Sequence, residues 1–248
     1  MAKRRKLIVG NWKMNGRLTS GLTLARDLAE RAEQNRPLAY DLAICPPFTL
    51  LWPVAEAIMG TPLLLGAQDC HIQNHGAYTG DISAGMLTDL GCRYVIVGHS
   101  ERRHGHSEGD NLIAKKVAAA QMAGLTAILC IGETQDELMR GETDKVIVRQ
   151  LSESLPAVYR PEHLVVAYEP VWAIGSGEQP AVADIERVHQ LIRSQMGANG
   201  DTVQVLYGGS VAPRNAVEIL ASPEVDGALV GSASLNSDGF WAIARNCA

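Results

Sequence analysis

The chain has 248 residues, 46% of them hydrophobic and 20% charged, and its 22 Lys and Arg against 27 Asp and Glu give a net charge of -5. A chain of this length and composition buries about three quarters of its unfolded surface, which excludes a disordered protein. A protein with this net negative charge lacks the overall positive electrostatic field that attracts nucleic acid. We interpret the one basic cluster, Lys3 to Lys6, as a solvated strand entrance rather than a nucleic-acid or import signal.

The cysteines and the apolar segments indicate the cellular compartment in which the protein is expected. Five widely spaced cysteines without a CxxC pair argue against a disulfide framework and for a reducing compartment. The apolar run Leu7-Ile8-Val9 is too short for a secretory signal, and no segment approaches the roughly 20 apolar residues that cross a bilayer. We expect a cytoplasmic protein with no membrane partner.

Eight short runs of nearly continuous apolar residues recur along the chain. They begin at Leu7, Leu42, Leu63, Val95, Ile128, Val165, Val203 and Ala228. Because they do not alternate with polar residues, they predict strands that are buried on both faces, as in a parallel sheet covered by helices.

Segments with helical spacing of apolar residues separate these runs. The clearest runs from Val182 through Ile192 to Met196, with Gly197 as its predicted end. Eight strand and helix units of about 31 residues, without a linker, predict one α/β domain over residues 1–248. They match a closed (β/α)8 barrel better than an open doubly wound sheet.

Polar residues that directly follow buried strands would meet at the carboxyl end of such a barrel, where barrel enzymes build their sites. Five clusters do so, and they begin at Asn11, Gly98, Glu169, Gly208 and Gly231. The clusters after the seventh and eighth strands are rich in Gly and Ser and precede helices predicted to open near Pro213 and Ser234. They predict a phosphate site, although ordinary turns have similar compositions. Without a nucleotide-binding fingerprint, a small phosphorylated substrate is favoured.

Glu169 is the most informative carboxylate, because it ends an apolar strand and is followed by Pro170. A partly dehydrated carboxylate at the rim is suited to act as a base, although an ion-paired structural glutamate is the alternative. The apolar segment 171–177 after it ends in glycines, which is typical of a lid that closes over a substrate.

His99 precedes a predicted short helix that begins near Ser100, whose positive end favours a neutral imidazole able to donate to a carbonyl oxygen. Lys13 would place a fixed positive charge at the same mouth. His104 and His106 lie close to His99, but no acidic or cysteine ligands complete a metal site, so we expect no metal.

Four further residues near the predicted rim are interpreted as structural, and a functional role is the less favoured alternative. Arg102 and Arg103 are typical of an ion-pair network. Cys130 and Glu133, at the end of the fifth strand, are expected in the core and at the rim, with an indirect part in positioning the base as the alternative.

Seven segments in order resemble the triosephosphate isomerase family: GNWKMN (10–15), YTGDIS (78–83), VGHSERR (97–103), CIGE (130–133), AYEPVWAIGSG (167–177), YGGSV (207–211) and VGSASL (230–235). The resemblance covers nearly the whole chain. It implies interconversion of dihydroxyacetone phosphate and glyceraldehyde 3-phosphate on a barrel, without a metal or organic cofactor.

The resemblance also assigns roles. Glu169 matches the family's base and His99 its neutral electrophile, and Lys13 and Asn11 match residues that steady the oxyanion and orient the substrate. Glu101 matches an acid near the lysine. Backbone amides at Gly175, Ser210, Gly231 and Ser232 would hold the phosphate. Thr79 lies in a segment similar to the loop that packs into a second subunit near its Asn11 and Lys13, which implies a homodimer.

Three features depart from the family pattern. His106 stands where family members commonly carry an aromatic residue after the GHSERR segment, which affects the expected rim packing between the fourth and fifth strands. Ser232 replaces the second glycine of the commoner VGGASL, which keeps the backbone N–H and adds a hydroxyl that could reach the phosphate. The end of the lid reads Glu178-Gln179-Pro180, where the family often has lysine and small residues, and this affects the expected lid kinetics rather than the chemistry.

Two rival functions stay open at this point. A Schiff-base aldolase would use Lys13 as its nucleophile and would form an adduct that borohydride traps. A non-enzymatic sugar-phosphate binding protein on a decayed barrel would need the phosphate amides but no base. The joint presence of Glu169, His99 and Lys13 argues against the latter.

Overall fold

Each of the eight apolar runs forms a strand in the computed structural model, which describes residues 4–175 and 178–247. The strands are β1 (Leu7–Asn11), β2 (Asp41–Cys45), β3 (Leu63–Ala67), β4 (Tyr94–Val97), β5 (Thr126–Ile131), β6 (Leu164–Tyr168), β7 (Gln204–Tyr207) and β8 (Gly227–Val230). Their bounds agree with the apolar runs to within a few residues.

The strands form a closed parallel barrel in chain order, in which β8 returns to pair with β1. Leu7 of β1 is in register with Asp41 of β2 on one side and with Gly227 of β8 on the other. This closure confirms the (β/α)8 barrel over the open sheet. It also brings all eight carboxyl ends of the strands to one rim.

Helices between the strands cover the outside of the barrel. They are α1 (Leu18–Gln34), α2 (Leu51–Ile58), α3 (Ala84–Asp89), α4 (Ser100–Gly105), α5 (Asp110–Met122), α6 (Gln135–Met139), α7 (Thr143–Glu153), α8 (Val182–Gln195), α9 (Pro213–Ala221) and α10 (Ser237–Ala244). The spacing in α8 is confirmed, because Ile185, Val188 and Ile192 are buried and Gly197 follows with a left-handed φ of 56°.

The helix expected near Ser234 starts later than predicted. Residues Ser232–Leu235 form a short 3-10 helix, and α10 begins at Ser237. The cause is the cap: the Asn236 side chain accepts a hydrogen bond from the Gly239 N–H at 2.8 Å, which fixes the helix start there. The start of α9 at Pro213 is as predicted.

Two apolar layers account for strands without polar residues. Leu7 and Val9 of β1 belong to the cluster that fills the barrel, whereas Ile8 between them packs with the layer between barrel and helices. Alternate side chains of one strand therefore enter different cores, and both faces need apolar residues.

The basic cluster at the start of β1 is more tightly bound than the expected solvated entrance. Arg4 pairs with Asp226 and Arg5 with Asp41, each at 2.7 Å. The Lys6 ammonium donates to the Leu220 carbonyl at 2.8 Å. Lys3 lies outside the described residues. No helix in the described part of the chain has the length and apolar character that a membrane crossing requires.

Candidate active site

A cavity of about 290 Å³ opens at the carboxyl ends of the strands. Eight of the ten side chains and backbone positions predicted from the sequence line it: Asn11, Lys13, His99, Glu169, Gly175, Ser210, Gly231 and Ser232. Residues from the loops after β1, β4, β6, β7 and β8 thus converge on one pocket. The predicted rim clusters do meet.

Glu169 lies at the end of β6, with only 2% of its surface exposed. Its main-chain N–H donates to the Ile131 carbonyl of β5 at 2.8 Å, which continues the barrel pairing and fixes the backbone. The carboxylate accepts the Ser100 N–H at 3.2 Å, and its other oxygen lies 3.1 Å from Nε2 of His99. A buried carboxylate with two donors is held in place while keeping lone pairs free.

The hydrogen bonds of His99 indicate a neutral imidazole. Nδ1 accepts the Glu101 N–H at 3.2 Å and so caps the start of α4, a contact that the sequence did not predict. A ring nitrogen that accepts this bond carries no proton, so the proton is assigned to Nε2, which faces Glu169. A Glu101 carboxylate oxygen lies 3.7 Å from Nδ1.

Lys13 has a left-handed backbone with φ of 53°, which is uncommon outside glycine. Its N–H donates to the Asn11 side-chain oxygen at 3.0 Å, and its ammonium pairs with Glu101 at 2.7 Å. The Gln68 side chain donates to the Lys13 carbonyl and to the Cys45 carbonyl, each at 2.9 Å. These contacts hold the main chain that aims the ammonium. Gln68 was missed by the sequence analysis.

The loops after β7 and β8 provide backbone donors in the lining of the cavity. In the described part of the chain, the N–H groups of Gly209, Ser210 and Ser232 donate to no protein acceptor. The Asn215 side chain accepts the Ala212 N–H at 2.8 Å and donates to the Ser210 carbonyl at 3.0 Å, which fixes the loop before α9. Unpaired N–H groups in a polar cavity suit an anion such as phosphate.

The beginning of the predicted lid is tied to Glu133. The Trp172 indole donates to the Glu133 carboxylate at 2.9 Å, and the Tyr168 hydroxyl donates to the same oxygen at 3.2 Å. Burial raises the pKa of Glu133, and the hydrogen bonds from Trp172 and Tyr168 oppose that rise. Glu133 is expected at the rim, and the structure shows it buried. Its carboxylate holds the first turn of the segment after Pro170.

Cys130 is buried inside the barrel, as expected for a core residue. Its burial, and next the charge of Glu169, raise the pKa of the thiol well above its ordinary value. The thiol therefore stays protonated beside the carboxylate and can donate a weak hydrogen bond to it. An indirect part of Cys130 in positioning the base stays a prediction.

The end of the predicted lid contacts the segment after β7. The Gln179 side-chain oxygen accepts the Asn215 amide at 2.7 Å. Gln179 belongs to the departure Glu178-Gln179-Pro180, and its hydrogen bond ties this segment directly to Asn215 in the first turn of α9. Ser176 and Gly177 of the predicted lid lie outside the described residues.

Thr79 lies outside the cavity, in the exposed loop 73–81. The base of this loop is closed where His71 bridges Ser83. Among the side chains that the structure describes, no three His, Cys, Asp or Glu residues are grouped as a metal site requires.

The fold and the cavity define the class: a (β/α)8-barrel enzyme whose site lies at the carboxyl ends of the strands. The family model of triosephosphate isomerase matches residues 6–247. The chain therefore belongs to the triosephosphate isomerase family, whose members are isomerases.

Individual relatives agree over nearly their full lengths. The triosephosphate isomerase of Rhizobium meliloti is 49% identical over 245 residues, which cover 97% of this chain and 95% of the relative. That of Afipia carboxidovorans is 51% identical over 249 residues, covering 99% and 98%. A crystal structure of triosephosphate isomerase from Bartonella henselae is similar with a TM-score of 0.90, 42% identity and 98% coverage of both chains.

Proposed function

We propose that the chain interconverts dihydroxyacetone phosphate and D-glyceraldehyde 3-phosphate through an enediol(ate), with Glu169 as the base. The observation that carries this proposal is the convergence, in one cavity, of Glu169, the neutral imidazole of His99 and the ammonium of Lys13 with unpaired backbone donors. The donors suit a phosphate, and the three side chains suit proton transfer beside a carbonyl.

The first step binds and orients the substrate. Backbone amides at Gly175, Ser210, Gly231 and Ser232 would hold the phosphate, which leaves the three-carbon part directed toward β1, β4 and β6. Asn11, at the end of β1, would orient the oxygen atoms of the substrate. Fixing both ends of a small substrate removes much of the entropic part of the barrier.

Proton transfer then uses the buried carboxylate. Glu169 removes a proton from the carbon beside the carbonyl, and the electron pair of the C–H bond moves to form an enediol(ate) with negative charge on oxygen. His99 Nε2–H and the Lys13 ammonium stabilise this oxygen, and donors of this kind contribute about 3 kcal/mol each. The proton of the substrate hydroxyl group passes to the former carbonyl oxygen, and the protonated Glu169 gives its proton to the former carbonyl carbon, so atoms and charge balance without a cofactor.

The lid has a separate role. Closure of the segment after Pro170 over the intermediate would exclude water, which strengthens the interactions of the charged groups and suppresses loss of phosphate from the enediol(ate). In the structure, the contact between Trp172 and Glu133 holds the first turn of this segment.

The assembly and location are also proposed. The loop around Thr79 is exposed on the single chain and would pack into a second subunit, giving a homodimer. The chain would act as one domain in the cytoplasm, with the triose phosphates as its small-molecule partners and without nucleic acid, membrane or metal.

A steady-state assay of the purified chain with D-glyceraldehyde 3-phosphate, coupled to a dehydrogenase that consumes dihydroxyacetone phosphate, tests this function. We expect turnover without added metal. Tight binding of phosphate without turnover would favour the binding protein instead. Borohydride with a ketose phosphate would trap an adduct on Lys13 only in the aldolase.

A further inference from the structure

An ion cluster of three buried side chains and one half-buried arginine lies next to the site but outside the cavity. It comprises Asp69 after β3, Arg102 of α4, Glu108 before α5 and Lys116 of α5. The Lys116 ammonium contacts Asp69 and Glu108, each at 2.7 Å. Arg102 contacts Asp69 at 2.9 Å and Glu108 at 2.6 Å. Two carboxylates and two cations balance in charge, so each of them has a partner that offsets its burial.

This cluster completes a ring of contacts around Lys13. Asp69 directly follows Gln68, which binds the Lys13 carbonyl, and Arg102 directly follows Glu101, which binds the Lys13 ammonium. The contact between Asp69 and Arg102 therefore joins the two segments that hold opposite ends of the same residue. The left-handed backbone of Lys13 needs such external support, because its conformation is unfavourable by itself.

We propose that Asp69 is a positioning residue for the isomerisation: by clamping the loop after β3 to α4 through Arg102, it fixes where the Lys13 ammonium lies relative to the substrate oxygen. The inference rests on the proposed function, since it assigns Lys13 to that oxygen. Asp69 touches neither the cavity nor the reacting atoms.

Replacement of Asp69 by Asn tests the clamp with little change in shape. One carboxylate oxygen becomes an amide that cannot accept from Arg102 or Lys116, so the clamp weakens and the cluster gains one uncompensated positive charge. The double variant Asp69→Asn, Lys116→Met removes that excess charge but does not restore the clamp. Together the two variants separate stability from positioning.

We expect Asp69→Asn to lower kcat about tenfold with KM within about twofold, because the misplaced ammonium is needed most in the transition state. The double variant should recover Tm but not kcat. Recovery of kcat together with Tm would show that Asp69 is only structural, and an unchanged kcat in the single variant would also overturn the inference.

The pH profile supplies a readout that a purely structural role would not move. Burial raises the pKa of Asp69. The negative charge of Glu108 adds to this rise, and the positive charges of Lys116 and Arg102 oppose it. Protonation of Asp69 imitates the Asn variant. The ratio of wild-type to variant kcat/KM should therefore approach one as pH falls, and a constant ratio would contradict the inference. A wild-type chain without turnover would instead refute the proposed function, and the inference with it.

Discussion

Shortening the proposed base by one methylene is the sharpest perturbation of the site. In Glu169→Asp the charge is kept, but the carboxylate withdraws by about 1.5 Å, one C–C bond length. The 3.1 Å distance to His99 and the 3.2 Å contact with the Ser100 N–H would lengthen by up to this amount, to at most about 4.6 and about 4.7 Å, beyond hydrogen-bonding distance. The carboxylate loses its two donors and its alignment with the substrate carbon.

A misplacement of about 1 Å costs on the order of a hundredfold in rate, so we expect kcat to fall by a hundredfold to a thousandfold, with KM within about threefold. The coupled assay with D-glyceraldehyde 3-phosphate measures both constants. Glu218→Asp, the same change on the exposed surface of α9, is the matched control and should leave both constants unchanged. A Glu169→Asp enzyme with wild-type kcat would refute the assignment of the base.

Three further predictions concern stability, the phosphate site and assembly. Burial lowers the pKa of His189 from 6.5 to about 4. The free energy of unfolding that depends on the neutral imidazole is therefore present above about pH 6.5 and is lost as pH falls toward 4. The loss is about 1.4 kcal/mol per pH unit and about 3 kcal/mol in total. Urea denaturation from pH 7.5 to 4.5 should show this loss in the wild type and much less of it in His189→Asn, whose amide can replace the Nδ1 donor to the Glu224 carbonyl. Unfolding free energies that fall in parallel with pH in the two proteins would contradict the assignment to His189. Ser232→Gly should weaken inhibition by inorganic phosphate about threefold with kcat unchanged, because the hydroxyl is an extra donor at an exposed position, and equal or stronger inhibition would count against that contact. Thr79→Arg should prevent formation of the proposed homodimer and give a monomer in sedimentation velocity with loss of activity, whereas an active dimer would show that this loop does not join the subunits.

The strands and the rim were predictable because each depends on local sequence. Leu7, Ile8 and Val9 are all apolar since alternate residues of β1 enter different cores, and an uninterrupted apolar run is the pattern that this burial demands. Glu169 could be placed at the rim because it directly follows such a run. The barrel closes with its strands in chain order, which brings the rim residues together although they are far apart in the sequence.

The support of the site could not be predicted in the same way. Gln68 and Asp69 follow β3 directly, yet the supporting roles proposed for them depend on contacts with Lys13 and Arg102 that no spacing in the sequence encodes. The bond between Trp172 and Glu133 is likewise a contact between two loops. The start of α10 was misplaced because Asn236, a good capping residue, was overlooked in favour of Ser234.

Solvent-deuterium incorporation tests the proposed proton transfer most directly. Dihydroxyacetone phosphate is converted in D₂O by the wild type and by Glu169→Gln, and the product is examined by NMR for deuterium on the carbon beside the carbonyl. An exchangeable carboxyl proton predicts deuterium in a measurable fraction of the wild-type product and turnover reduced at least a hundredfold in the variant. Full turnover without any deuterium, or an unimpaired Glu169→Gln enzyme, would contradict a mechanism in which this carboxylate carries the proton.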